Sequence, residues 1–258
     1  MLAATVAVSA STAAPAIAAD PGSVTSATGG GVASASTDGE SARLDGIDVS
    51  HWQGTIGWGK VARDGVEFAI AKATEGTYFV DGQYARNKAR SVARGLFFTA
   101  YHYARPSGGR SDAIHEADWF VRHADLGPGN LVPALDLETS GRLGHRALRR
   151  WTLAWLGRVE ARLGVKPMIY TTPAFWEYYL RDSRAIARQG YQVLWIAHWG
   201  ANHPRVPARD WNGNSWTYWQ WTARGDVNGI RGNVDRNWFS GNDLGVLTIR
   251  TLRRAAAD

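Results

Sequence analysis

The chain has 258 residues and no cysteine, so disulfide cross-links, thiolate nucleophiles and cysteine metal sites are all excluded. A chain of this length manages without cross-links because its core is large enough to hold a fold, unlike that of very small exported domains. Lysine is also scarce. Lys60, Lys72, Lys88 and Lys166 are the only four among 29 basic residues, and the arginines are scattered rather than gathered in one run. That pattern gives no dedicated nucleic-acid arm. No G-x-S-x-G elbow, P-loop, G-x-G-x-x-G or H-E-x-x-H occurs. A serine elbow, a phosphate-cradled cofactor and a histidine zinc site are therefore not expected. After the first 19 residues no apolar run nears the ~20 needed to cross a bilayer.

Met1 to Ala19 carry no charge and close on small residues that fit an A-x-A cleavage pattern at Ala16 and Ala18. The stretch reads as an export signal, without the usual basic n-region. Residues 20–43 are mostly Gly, Ser, Thr and Ala, too poor in large apolar groups to repay ordering, and read as a flexible linker. The formal charge is +6, yet Asp20, Asp38 and Glu40 precede the first base, Arg43, so the remainder is more basic still. Such a field favours an anionic partner: nucleic acid, anionic lipid or a bacterial wall rich in carboxylate and phosphate polymers.

Thirteen Trp, nine Tyr and seven Phe supply ample area for one large core. Eight short apolar runs read as strands: LDGIDVS, EFAIAKA, LFFTAYHYA, LVPALDLE, KPMIYTT, QVLWIAHW, SWTYWQWT and GNVD. Amphipathic segments at Gln83 to Arg94, Ser111 to Asp125 and His145 to Leu163 read as helices between them. Strand and helix in alternation predict a parallel sheet, and eight buried strands predict a closed barrel, with an open doubly wound sheet as competitor. The last three strands are joined by loop-like segments, so the helical ring is expected to be incomplete there. Residues 44–245 form this single domain, and 246–258 read as a basic tail that includes either a last strand or none.

Asp48, Asp136, Glu138 and Asp235 each close a strand candidate, and strand ends converge on one mouth of a barrel. Period-two alternation puts Asp136 and Glu138 on one face with Leu135 and Leu137 on the other. Two adjacent carboxyls do not both ionise cheaply, so one should stay protonated near neutrality. Glycoside hydrolysis needs one carboxyl to protonate the leaving oxygen and a carboxylate to stabilise or attack the sugar centre. Taken singly, each acid is ordinarily a cap or an ion-pair partner; four at matching strand ends are harder to dismiss. Tyr101, His102, Tyr103, Tyr170, His198, Trp199, Trp219, Gln220 and Trp221 stand at other strand ends, where aromatic faces pack on sugar rings. Individually, such aromatics are as often core. Lys72 and Glu75 either serve the acidic cluster or form a plain ion pair. Clustered carboxylates would also suit a hard cation, and a metal-dependent phosphodiesterase is a competing reading.

The ordered motifs GIDVSHWQG, FAIAKATEG, AYHYARP, ALDLET, WIAHW, YWQW and NVDRNWF, from about Leu44 to Phe239, resemble the family 25 glycoside hydrolases, the Chalaropsis-type lysozymes. The resemblance implies a modified TIM-like (β/α)5(β)3 barrel with five helices and three closing strands. It implies cleavage of the β-1,4 bond between N-acetylmuramic acid and N-acetylglucosamine in peptidoglycan, with no cofactor and no metal. By analogy Glu138 is the proton donor, and Asp136, Asp48 and Asp235 complete the acidic site. The family is similar to retaining enzymes in which the substrate acetamido group acts as nucleophile, with an aspartate, taken as Asp136, orienting it. Substrate contacts are expected from Tyr101, Tyr103, Tyr170, His198, Trp199, Trp219, Gln220, Lys72 and Glu75. A monomeric, secreted enzyme follows, without nucleic-acid or membrane partners. The alternative is a non-catalytic wall-binding protein on the same fold.

Overall fold

Runs that are apolar throughout, rather than alternating, belong to strands covered on both faces, and all eight become strands. The computed structural model describes residues 43–257; the expected export signal and residues 20–42 of the expected linker lie outside the described residues. The strands are β1 (Arg43–Val49), β2 (Phe68–Glu75), a two-residue β3 (Phe79–Val80), β4 (Phe97–Tyr103), β5 (Ala134–Asp136), β6 (Met168–Thr171), β7 (Leu194–Ala197), β8 (Tyr218–Gly225) and β9 (Val234–Ser240). β3 folds back on β2 and takes no part in closure.

The sheet runs β1-β2-β4-β5-β6-β7-β8-β9 and returns to β1, which pairs in parallel with β2 and antiparallel with β9. Closure disposes of the open doubly wound competitor and leaves a modified TIM-like α/β barrel of one domain. The expectation of a wholly parallel sheet needs correction at one strand. β9 is antiparallel to both neighbours because β8 and β9 are joined as a hairpin without a crossover helix. The predicted Asp235 therefore opens its strand instead of closing one, and still reaches the common mouth, opposite Asp48 in register.

Helices α1 (Trp58–Arg63), α2 (Tyr84–Val92), α3 (Arg110–Ala124), α4 (His145–Leu163) and α5 (Pro173–Leu180) fill the first five connections. In α4 the residues Leu148, Trp151, Trp155, Leu156, Val159 and Leu163 recur at helical spacing and are buried against the barrel, and Gly164 ends it at φ +65°. Thr172 caps α5 by accepting from the Phe175 N–H, with Pro173 in the first turn. The sequence leaves open whether the end of the chain adds a last strand. That end forms no last strand but a helix, Ile249–Ala255, whose Ile249 and Arg250 N–H groups donate to the Asn130 and Pro128 carbonyls beneath the barrel. Ile249 is fully buried, which ties this segment to the same body.

Candidate active site

At the C-terminal mouth the carboxylates come together. Asp48 ends β1 facing inward and is buried; its Oδ2 accepts from Gln220 Nε2 at 2.9 Å and Asn237 Nδ2 at 2.8 Å. Those amides are themselves fixed. Gln220 Oε1 accepts from Tyr170 Oη and from Trp199 Nε1, both at 3.0 Å, and Asn237 Oδ1 accepts from Trp195 Nε1 at 2.7 Å. Burial raises the Asp48 pKa well above its usual value, and the charge of Asp235 adds to the effect despite the two amide hydrogen bonds. Asp235, half-buried opposite it, is pushed up to about 6, first by burial and then by Glu138.

Asp136 ends β5 and is also buried, whereas Glu138, two residues on, is exposed in the mouth. The intervening Leu135 and Leu137 are fully buried, as alternation requires. Burial, then the neighbouring charge of Glu138, holds Asp136 well above the carboxylate range. Glu138 is also raised, because the walls of the mouth withdraw its carboxyl from water, against the opposing pulls of Asp136 and the Lys72 cation. The pair therefore retains a proton where isolated carboxyls would be ionised. One oxygen, Asp136 Oδ1, is buried with no hydrogen-bond partner among the described residues.

Lys72 is buried beside this pair, its Nζ 2.5 Å from Glu75 Oε2 and 4.8 Å from the centre of the Tyr103 ring. Glu75 also accepts from Arg105 Nε at 2.8 Å and Tyr78 Oη at 3.0 Å. Burial pushes its pKa up, but the hydrogen bonds from Lys72 and Arg105 outweigh this and bring it down to about 2. Glu75 is thus the partner of two cations, and Lys72 acts on the acids through space.

The predicted aromatics divide. Tyr101, Tyr103 and Tyr170 line the inner wall around Asp136, with which Tyr103 and Tyr170 are in register, and Trp199 is 55% exposed at the rim. His198, half-buried, accepts from the Arg205 N–H at its Nδ1. Three residues are not brought to the cleft. His102 is fully buried behind β4, bonded to Thr74 and Glu116 at 2.8 Å each. Trp219 packs between Trp216 and Trp238 on the face opposite Gln220, and Trp221 stacks on Trp238 there. Two exposed aromatics at the mouth escaped the sequence reading: Trp52, 82% exposed in the turn after β1, and Tyr78, 67% exposed after β2. Their signal was position, immediately past acid-bearing strand ends. Among the described residues no group of three His, Cys, Asp or Glu is arranged to hold a metal ion.

Residues 47–230 match the family model described as glycosyl hydrolases family 25. The chain is 36% identical to Lysozyme M1 of Streptomyces globisporus over 80% of its own length and 71% of that protein. It is 29% identical to an N,O-diacetylmuramidase of Chalaropsis sp, covering 74% of this chain and 96% of the relative. Among solved structures, the bacterial lysozyme from Streptomyces coelicolor superposes with a TM-score of 0.74 at 34% identity, covering 81% of this chain and 98% of that one.

Proposed function

The chain belongs to the family 25 glycosyl hydrolases, and from that premise we propose that it is an exported lysozyme cleaving peptidoglycan after N-acetylmuramic acid, with retention and with the substrate acetamido group as nucleophile. The observation that carries this reading is the Asp136–Glu138 pair: two neighbouring carboxyls, both with raised pKa values, beside a buried oxygen that lacks a donor. An acetamido N–H of the bound sugar supplies that donor. Once Asp136 accepts it as a carboxylate, the pair's proton resides on Glu138, in position for the leaving oxygen. As the glycosidic bond breaks, the acetamido oxygen bonds to the anomeric carbon and Glu138 gives up its proton. Water then attacks that carbon, returns a proton to Glu138 and reopens the ring with retention. Asp235 places further negative charge near the cationic sugar centre at neutral pH, and Asp48 holds the Gln220 and Asn237 amides beside it; Tyr103, Tyr170 and Trp199, with Trp52 and Tyr78, offer faces and hydroxyls to the glycan.

Export rests on the Ala16/Ala18 cleavage pattern. The reading divides the chain into a signal over 1–19, a linker over 20–42, and the barrel, entered at Arg43, with its closing helix. The test is digestion of purified peptidoglycan by the protein, with and without chelator, followed by reduction and mass spectrometry. Reduced muramic acid ends in both arms are expected. Reduced glucosamine ends, or binding without cleavage, would overturn the proposal.

A further inference from the structure

On the barrel's flank, between α1 and α2 and apart from the mouth, a groove of about 290 Å³ is lined by Lys60, Arg63, Arg86, Arg90 and Arg94 around the edge of Trp58. Among the described residues none of these five cations forms an ion pair. Asp64, next in sequence to Arg63, is engaged elsewhere: its two oxygens accept from the Asn228 backbone N–H at 3.0 Å and side chain at 2.5 Å. The cations also converge. A Cβ placed on Gly59 would lie 3.5 Å from the Arg94 guanidinium and 3.7 Å from that of Arg63, so both guanidinium groups crowd one glycine backbone. Like charges gathered in a concavity raise the local potential and concentrate anions.

From this geometry we propose that the groove binds a linear phosphodiester polymer of the bacterial wall, a poly(polyol phosphate), and holds the enzyme on its substrate. Four of the five cations are arginines, whose planar fork grips phosphate oxygens bidentately. Arg86, Arg90 and Arg94 recur every four residues along and just past α2, about one helical turn apart. A polymer with one phosphate per short polyol unit presents anions at a comparable repeat. The volume lies near the lower end of ligand pockets, about 300–1,000 Å³, suited to one or two repeat units. The site goes beyond the proposed hydrolysis and is tested without it.

Binding of fluorescent poly(glycerol phosphate) to the full chain is measured for wild type, for R63Q/R86Q/R90Q/R94Q, and for R146Q/R150Q/R188Q/R254Q, which removes the same charge from scattered exposed positions. The groove variant is expected to bind at least tenfold more weakly and the scattered variant less than threefold. With four phosphate contacts, a fourfold rise in salt weakens wild-type binding about fifty-fold. R86Q/R90Q, confined to the exposed face of α2, is expected to lose about half of the logarithmic effect and guards against misfolding of the fourfold variant. Cleavage of short soluble glycans by the groove variants stays at the wild-type rate, so failure of the hydrolytic reading and failure of this one are separable. Equal losses in both fourfold variants, no binding by wild type, or tighter groove-dependent binding of polyglutamate or single-stranded DNA would overturn the proposal.

Discussion

Glu138 and Asp136 differ by two positions and by environment, and that difference sets their duties. Glu138 is exposed to an incoming glycan, whereas Asp136 is enclosed and keeps one unsatisfied oxygen. Glu138→Gln removes the proposed proton donor while leaving shape and the Lys72–Glu75 pair intact. Its kcat on peptidoglycan should fall by about 10²- to 10⁴-fold with KM little changed; a loss under threefold would remove Glu138 from the role. Because the donor must be protonated, wild-type activity should fall as pH rises through its raised pKa. Asp235 makes the stability argument. Its folded pKa, about 6, exceeds the ordinary 3.8, so its contribution is fully present below about pH 4 and is lost as pH rises to about 6. Asp235→Asn should stabilise the fold at pH 7 by on the order of 2 kcal/mol after solvent screening, seen as a higher melting temperature, and leave both unchanged at pH 3.5. Calorimetry at the two pH values checks this, and an equal shift at both would refute the linkage. These acids were legible because each borders an apolar run. Asp48's amide partners were not, since Asn237 and Gln220 meet it only when strands remote in sequence become neighbours.

Elements explain what the sequence reading misplaced. β7 and β8 lack a covering helix of the kind α4 provides, and the outer face near β8 and β9 is covered instead by Trp216, Trp219, Trp221 and Trp238, with the Arg43 guanidinium 4.7 Å over Trp238. Trp219 therefore belongs to this cover and not to the cleft, a matter of strand parity that so aromatic-rich a run conceals. His102 was misplaced for the same reason: it alternates with Tyr101 and Tyr103 and faces the helical layer, stacked on Trp155. Among the strand glycines, the one in β1 is the most tightly constrained. A Cβ on Gly46 would lie 2.3 Å from the Phe68 ring of β2, inside the barrel and two residues before Asp48. Gly46→Ala should cost about 1–3 kcal/mol in denaturant unfolding through overpacking. Because relief requires β1 or Phe68 to shift, turnover should drop as well; unchanged stability would show that the ring yields freely.

At the scale of the whole molecule, the barrel was legible from eight apolar runs and their intervening helices, while the hairpin that reverses β9 and the closing helix Ile249–Ala255 depend on contacts distant in sequence. Net charge acts at the same scale. The described body carries the chain's basic excess, yet the mouth concentrates four acids, so the field proposed to draw the enzyme to an anionic wall originates away from the acidic mouth. Charges on the flank act over a Debye length of about 10 Å at 0.1 M salt and are screened above it, whereas the buried Asp48 network and Asp136 are shielded from salt by the barrel. Raising ionic strength from 0.05 to 0.5 M should therefore reduce the rate on intact walls by at least tenfold and alter kcat on short soluble glycans by less than twofold. Turbidity loss of wall suspensions, set beside chromatography of soluble fragments in the same buffers, reads the two terms separately. A parallel decline in both would place the salt-sensitive charge in the active site itself, and so assign substrate attraction to Lys72 and Arg105 instead of the flank.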